Sequence, residues 1–297
     1  MQKPFFSIIV VALNPGERLG KTLNSILNQT YKNYEVILKD GGSRDGSLSK
    51  LREQGFFEDK SQIKVIEKSD KSIYDGMNQA VSYVDGRYVQ FLNCGDYFYS
   101  ENVLQEVADF IEKDQKKNSL LNEEKEVRDI EFMNIDAKKL PKIIYYGNQY
   151  NQQQDTIVFS APEINDFTCY RNVPCHQVCF YDYRLFENRV YDLKYKVRAD
   201  YEHFLYSIYE ENATGVSMPL VVASYEGGGF SETKENRRCS ALEHKEITGK
   251  YLGRKAFRYR MIMWLTLAPV RTWIAEKPAL AGVYNGVKSG IYKLLRK

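Results

Sequence analysis

Five short stretches of this chain gather residues able to hold phosphate, a hard metal ion or a proton. In Asp40-Gly41-Gly42-Ser43-Arg44-Asp45-Gly46 the glycines let the backbone turn tightly and approach a ligand. A carboxylate there can accept hydrogen bonds from a base or a ribose. The same residues also suit a turn with Asp45 or Ser47 as an N-cap. Asn93-Cys94-Gly95-Asp96 places one acid beside a glycine. A divalent ion needs few protein ligands when substrate phosphates supply the rest, although an Asx turn uses the same residues. Asp200, in Arg198-Ala199-Asp200-Tyr201-Glu202-His203, stands in what reads as the first turn of a helix. The helix dipole favours its ionised form, which suits either a general base or a plain cap. Asp200 and His203 fall on one helical face and Glu202 elsewhere. The other two stretches are His176-Gln177 and the polar run from Ser69 to Asn78.

The elements that must position these residues follow from hydrophobic patterning. The β-branched run at 6–12 reads as a buried parallel strand and ends at the turn signal Asn14-Pro15-Gly16. Leu19, Leu23, Ile26 and Leu27 then recur at helical spacing over 18–30. Further strands are predicted at 34–39, 63–67, 88–92, 142–147, 176–182 and 219–225. Helices are predicted at about 47–54, 72–84, 101–113 and 199–211. Alternating strands and helices with short loops predict an α/β domain on a mostly parallel sheet. Such sheets bind ligands beyond the carboxyl ends of their strands. The clusters at 40–46, 69–78 and 93–96 all follow predicted strands, so they share that edge. Residues 112–140 read as a charged surface insertion, and Gly227-Gly228-Gly229 as a loop able to hinge a lid. The expected organisation is a domain over 1–230 and a helical basic region over 231–297.

Composition excludes several classes. With 297 residues, 43% hydrophobic and 27% charged, the chain can bury a sizeable core without disulfide or metal staples. No apolar run approaches the ~18 residues of a membrane span. The amino end lacks a signal-peptide layout, and five irregularly spaced cysteines read as reduced thiols, so the expected compartment is the cytoplasm. His176, His203 and His244 lack zinc-type spacing. The net charge of +3 hides an asymmetry. Residues 250–297 hold eleven basic side chains and one acid, Glu276, for +10, while the remainder holds 31 basic and 38 acidic for −7. A basic tail on an acidic globule points to an anionic partner surface, with the inner membrane leaflet preferred to nucleic acid. Met261 to Val270, with Trp264 and Trp273 near arginines, suits the membrane interface and equally a helix packed on protein.

Taken together and in order, these motifs resemble family 2 glycosyltransferases of the GT-A fold, closest to the branch that builds bacterial surface polysaccharides of the colanic-acid type. The residues carrying the resemblance are Phe6–Asn14, Asp40–Gly46, Ser69–Asn78, Phe91–Asp96 and Ala199–Glu202, within about 5–225. The resemblance implies a nucleotide-sugar donor, most simply a UDP-hexose or UDP-N-acetylhexosamine, and Mg²⁺ or Mn²⁺. It implies that Ala12, Leu13, Asn14 and Asp40 line the nucleoside pocket. Asp70 and Lys71 would lie near base and diphosphate, with Asn78 shaping the same pocket. Asp96 matches the last acid of the family's Asp-x-Asp metal motif, with Asn93 and Gly95 in its loop, and the first acid is absent here. Asp200 matches the catalytic base, preceded by Ala199 rather than an acid, and His176 falls near the donor or acceptor sugar.

The implied reaction is an inverting transfer to a hydroxyl of a glycan, with the acceptor expected to be carried on polyprenyl diphosphate at the cytoplasmic face of the membrane. It requires Asp200 to face, across a shared cleft, a diphosphate anchored at Asp96. The rival readings are a nucleotidyltransferase and a non-catalytic nucleotide-sugar-binding module. The first ordinarily needs a glycine-rich basic loop after the first strand, where this chain has Leu13-Asn14-Pro15-Gly16-Glu17.

Overall fold

The computed structural model describes residues 3–58, 62–123, 141–227 and 233–265. The chain divides into two compact units, one ending at Ile247 and one beginning at Thr248. Within the first unit the described strands form a nine-stranded sheet of order β3-β2-β1-β4-β8-β6-β9-β5, with β7 on the edge of β6. The expected α/β architecture is therefore present.

β1 (Phe6–Ala12) and β2 (Tyr34–Asp40) are buried along their whole length. That agrees with strands covered by helices on both faces. β1 pairs in parallel with β2 and with β4 (Tyr88–Phe91), and β2 with β3 (Ile63–Glu67). The register sets Ala12 opposite Asp40, and Asp40 opposite Glu67. The carboxyl ends of β1, β2 and β3 therefore finish level, and the polar clusters leave from one edge. Between the strands run α1 (Arg18–Leu27), α2 (Ser47–Glu53) and α3 (Ile73–Val81). α1 buries Leu19, Leu23 and Ile26, the stripe its spacing predicts. α3 starts at Ser72, whose hydroxyl accepts the Asp75 N–H at 3.2 Å.

The other half of the sheet is mixed. β8 (Cys179–Asp182) runs antiparallel to β4 and to β6 (Ile143–Asn151). β6 runs parallel to β9 (Thr214–Tyr225), and β5 (Tyr97–Phe98) pairs antiparallel with β9. β9 starts ahead of the expected 219 because Pro219 hides a continuing strand. Tyr146 pairs with Ser217 and Asn148 with Val221, so the extra residues bulge around the proline. β7 (Thr156–Val158) and α5 (Asp166–Arg171) are too short to carry a periodic signal.

Other departures are local. His176–Val178 forms a 3-10 turn rather than the start of a strand. α4 (Val103–Glu123) runs past the expected end at 113, so the start of the expected insertion is helical. Its remainder, 124–140, lies outside the described residues, as do Gly228, Gly229, Trp273 and residues 266–297. α6 (Arg184–Glu187) and α7 (Ala199–Tyr209) follow β8, and α8 (Lys234–Leu252) begins within the region expected to be helical, 231–297. α9 (Arg254–Leu265) belongs to the second unit and carries Arg254, Lys255, Arg258 and Arg260 without an acid. No described helix is long and apolar enough to cross a membrane.

Candidate active site

The loops after β1 and β2 are stitched to one another. Asn14 N–H donates to Ser43 Oγ and Arg44 N–H to Asn14 Oδ1, each at 2.8 Å. Gly16 N–H donates to Asp45 Oδ2 at 2.8 Å. Asn14 holds φ at +48°, a left-handed conformation that its short amide tolerates. Ala12 is buried at the strand end and Leu13 stands exposed. Asp40 is buried and accepts the N–H groups of Gly42 and Ser43 at 2.9 and 2.8 Å, together with the Ser43 hydroxyl. Its carboxylate thus shapes its own loop while sharing the edge with Ala12.

Beside it lies an ion pair that sequence reasoning missed. Lys39 is fully buried, and its ammonium donates to Asp70 Oδ2 at 2.8 Å, to Asp40 O at 3.0 Å and to Lys68 O. All three ammonium hydrogens are used, the condition under which a buried charge is tolerable. A Cβ on Gly41 would meet Asp70 Oδ2 at 2.6 Å, so only glycine leaves that carboxylate room. A lone lysine in an apolar strand was the available signal. Lys71 is exposed next to Asp70. Asn78 turns inward, with Nδ2 donating to Tyr191 O at 2.8 Å and Oδ1 accepting Tyr191 N–H at 2.9 Å. It therefore anchors a distant loop, and both its polar ends are spent on that backbone.

Asn93, His176 and Asp200 form one hydrogen-bonded group, and Asp96 joins it through the backbone, its N–H donating to Asn93 O at 3.0 Å. Asn93 Nδ2 lies 2.8 Å from His176 Nε2, and His176 Nδ1 lies 3.0 Å from Asp200 Oδ2. A carboxylate can only accept, so His176 carries a proton on Nδ1, aimed at Asp200. Tyr74 donates to Asp200 Oδ1 at 2.8 Å. The next residue in the 3-10 turn faces the other acid, with Gln177 Nε2 donating to Asp96 Oδ2 at 3.2 Å. Glu226 N–H reaches Asp96 Oδ1 at 3.2 Å. The turn at 176–178 thus links the two acids that the sequence singled out. Gly95, at φ +110°, has its N–H on Thr22 Oγ1 at 3.0 Å, and a Cβ there would meet Glu226 Oε2 at 2.8 Å. Tyr74, Gln177, Thr22 and Glu226 had no assigned part in the sequence reading, and only Gln177 and Tyr74 fell inside its motifs.

The two acids differ electrostatically. Burial pushes the Asp96 carboxyl up to about 6, against the weaker pull of the Glu226 N–H and His176. Burial also opposes the charge of Asp200, but the hydrogen bond and charge of His176, with the Tyr74 hydroxyl, outweigh it and leave its pKa below the usual carboxylate value. The Asp200 side chain keeps 24% of its surface open. Each carboxylate oxygen has a second lone pair, so a further proton donor can reach it.

Among the described residues no three His, Cys, Asp or Glu side chains gather as a metal site. Asp96 and the buried Asn93 Oδ1, which has no hydrogen-bond partner, are hard oxygens in one loop. They fit a cation that takes most of its ligands from a diphosphate. A cavity of about 390 Å³ adjoins this loop, lined by Arg18, Lys21, Asn24, Tyr97 and Glu226 among others. Asp40, Asp70, Asn93, Asp96, His176 and Asp200 do not line it, so this cavity is not the cleft expected between Asp96 and Asp200.

Residues 7–162 match the family described as Glycosyl transferase family 2. A PGL/p-HBAD biosynthesis glycosyltransferase of Mycobacterium tuberculosis is 29% identical over 276 residues, covering 92% of each chain. Among solved structures, TarS 1–349 of S. aureus in complex with UDP-GlcNAc is similar, with a TM-score of 0.59 and 17% identity, over 91% of this chain and 78% of that one. The mannosyltransferase PcManGT from Pyrobaculum calidifontis, in complex with GDP-Man and Mn²⁺, has a TM-score of 0.60 and 15% identity, over 100% of this chain and 83% of its own.

Proposed function

The chain belongs to glycosyl transferase family 2 and is a glycosyltransferase, and from that premise we propose an inverting transfer of a hexosyl or N-acetylhexosaminyl group from a UDP-sugar to a glycan hydroxyl. The observation that carries this reading is the bonded path from Asp200 through His176 and Gln177 to Asp96. It holds one carboxylate ionised and partly open, a few side chains from a loop suited to a diphosphate. UDP-GlcNAc bound by TarS supports a UDP-sugar, while GDP-Man bound by PcManGT makes GDP-mannose the donor to test against it.

In the reaction Asp200 accepts the proton of the acceptor hydroxyl. The oxygen bonds to the anomeric carbon as the bond from that carbon to the diphosphate breaks, and the nucleotide diphosphate takes the electron pair. One displacement from the opposite face inverts the centre. The His176 and Tyr74 hydrogen bonds keep Asp200 ionised and oriented near neutral pH. Asp96 and Asn93 would hold Mg²⁺ or Mn²⁺, which supplies charge neutralisation of the leaving diphosphate. Ala12, Leu13, Asn14, Asp40, Asp70, Lys71 and Asn78 would define the nucleoside end, Asp40 and Asn78 by shaping loops. Gly95 would let the phosphates approach the loop, and His176 would lie next to the transferred sugar.

For the acceptor the same reading takes a polyprenyl-diphosphate-linked glycan. Residues 250–297 would hold the protein at the inner face of an anionic membrane. The test is nucleotide release across UDP-, GDP- and dTDP-sugars with Mg²⁺ or Mn²⁺ and a lipid-linked acceptor. Release from a UDP-hexose or UDP-N-acetylhexosamine that depends on the acceptor is expected. Release confined to GDP- or dTDP-sugars would overturn the donor assignment.

A further inference from the structure

We propose that Glu243, on α8, is a positioning residue for Asp200: its carboxylate fixes the backbone that enters α7 and thereby sets how the candidate base shares the Tyr74 proton. This rests on Asp200 being the base.

Glu243 is 8% exposed and binds three consecutive backbone N–H groups. Oε1 accepts Lys196 N–H at 2.7 Å, and Oε2 accepts Val197 N–H at 3.1 Å and Arg198 N–H at 2.9 Å. Hydrogen bonds to an ionised acceptor are the strong kind, and three on one carboxylate fix the strand of backbone that carries them. Arg198 returns the contact, with Nε donating to Ser240 O at 2.9 Å and to Ser240 Oγ at 2.7 Å. Arg198 is also the N-cap of α7, and its side chain makes no capping bond. The entry to α7 is therefore held from α8.

The link to chemistry runs through one hydroxyl. Tyr74 OH lies 2.8 Å from Val197 O and 2.8 Å from Asp200 Oδ1. A phenol has one proton, so the two acceptors compete for it. The position of the Val197 carbonyl decides how much of that proton Asp200 receives, and Glu243 holds the Val197 N–H. Among the described residues no hydrogen bond or ion pair joins Glu243 to the nucleoside-end residues Asp40 and Asp70, so nucleotide binding is expected to be insulated from the change.

The experiment uses the full chain and four variants: Glu243→Gln, Tyr74→Phe, the double variant and Asp200→Asn. Each is assayed with the donor that releases nucleotide fastest, and UDP affinity is measured by calorimetry. Glu243→Gln is expected to lower kcat by roughly 10- to 100-fold, with KM for the donor and Kd for UDP within about twofold. Adding Glu243→Gln to Tyr74→Phe is expected to cost much less than it costs alone, because both act through the same hydroxyl. If Glu243→Gln does not fold, Glu243→Asp, shorter by one methylene, carries the same test. An unchanged kcat in folded Glu243→Gln while Asp200→Asn is inactive overturns the inference and leaves the base assignment standing. So does a parallel loss of kcat and UDP affinity, or full additivity with Tyr74→Phe. An active Asp200→Asn overturns the base assignment, and this inference with it.

Discussion

Asp96 and Asp200 are the same side chain with opposite leanings, and the cause lies in their donors. Two neutral N–H contacts do not outweigh burial at Asp96, whereas Asp200 has a histidine and a phenol. Asp200→Asn should therefore lower transfer by ~10²–10⁴-fold with little change in UDP affinity. Steady-state rates beside calorimetry check this, and wild-type turnover would end the assignment. For Asp96 the folded pKa lies above the ordinary value of 3.8, at about 6. The folded state then binds more protons between those values, so stability falls as pH rises through that window, and the cost is complete above about 6. At about 1.4 kcal/mol per pH unit the burial penalty at neutral pH is roughly 3 kcal/mol. Asp96→Asn in the metal-free protein should raise Tm at pH 7.5, and the gain should vanish near pH 4. A gain equal at both pH values would contradict this account.

At the scale of elements, buried charge locks the loop between α6 and α7. Glu202 is fully buried, and Arg189 NH2 reaches its two oxygens, each at 2.8 Å. The sequence reading placed Glu202 away from the Asp200 face, and its partner is indeed a different one. Arg189→Met should break that pair and destabilise the fold by ~3–5 kcal/mol, while Arg189→Met with Glu202→Leu should recover most of the loss. Urea unfolding of the two variants measures both, and equal stability would show that the pair is not coupled. The parallel strands were legible because continuous burial leaves a continuous apolar run, as in Phe6–Ala12. The turn at His176–Val178 was not, since its conformation serves the acids on either side and not a periodic face.

For the whole molecule the first compact unit runs to Ile247 and the second begins at Thr248. The basic character of α9 bears on where the enzyme works. Each basic residue near an anionic surface contributes roughly 1 kcal/mol. Replacing Arg254, Lys255, Arg258 and Arg260 by Gln in the full chain should weaken sedimentation with anionic liposomes at low salt and leave neutral liposomes unaffected. Equal sedimentation of both proteins would remove these residues from membrane binding.

Patterns within one strand–loop–helix step were enough to place Asp40, Asp96 and Asp200 at the ends of their elements, because burial on a sheet and a helix start both leave local traces. Apart from His176 and the near neighbours of Asp40, the partners of those acids left none. Tyr74 and Asp200 are 126 residues apart, Gln177 and Asp96 81, Glu226 and Asp96 130. A hydrogen bond needs two groups within about 3 Å, and only closure of the chain in three dimensions brings such distant residues that near. Residue type and spacing therefore pointed to the acids, while the folded arrangement decided which of them is harder to ionise and what holds each in place.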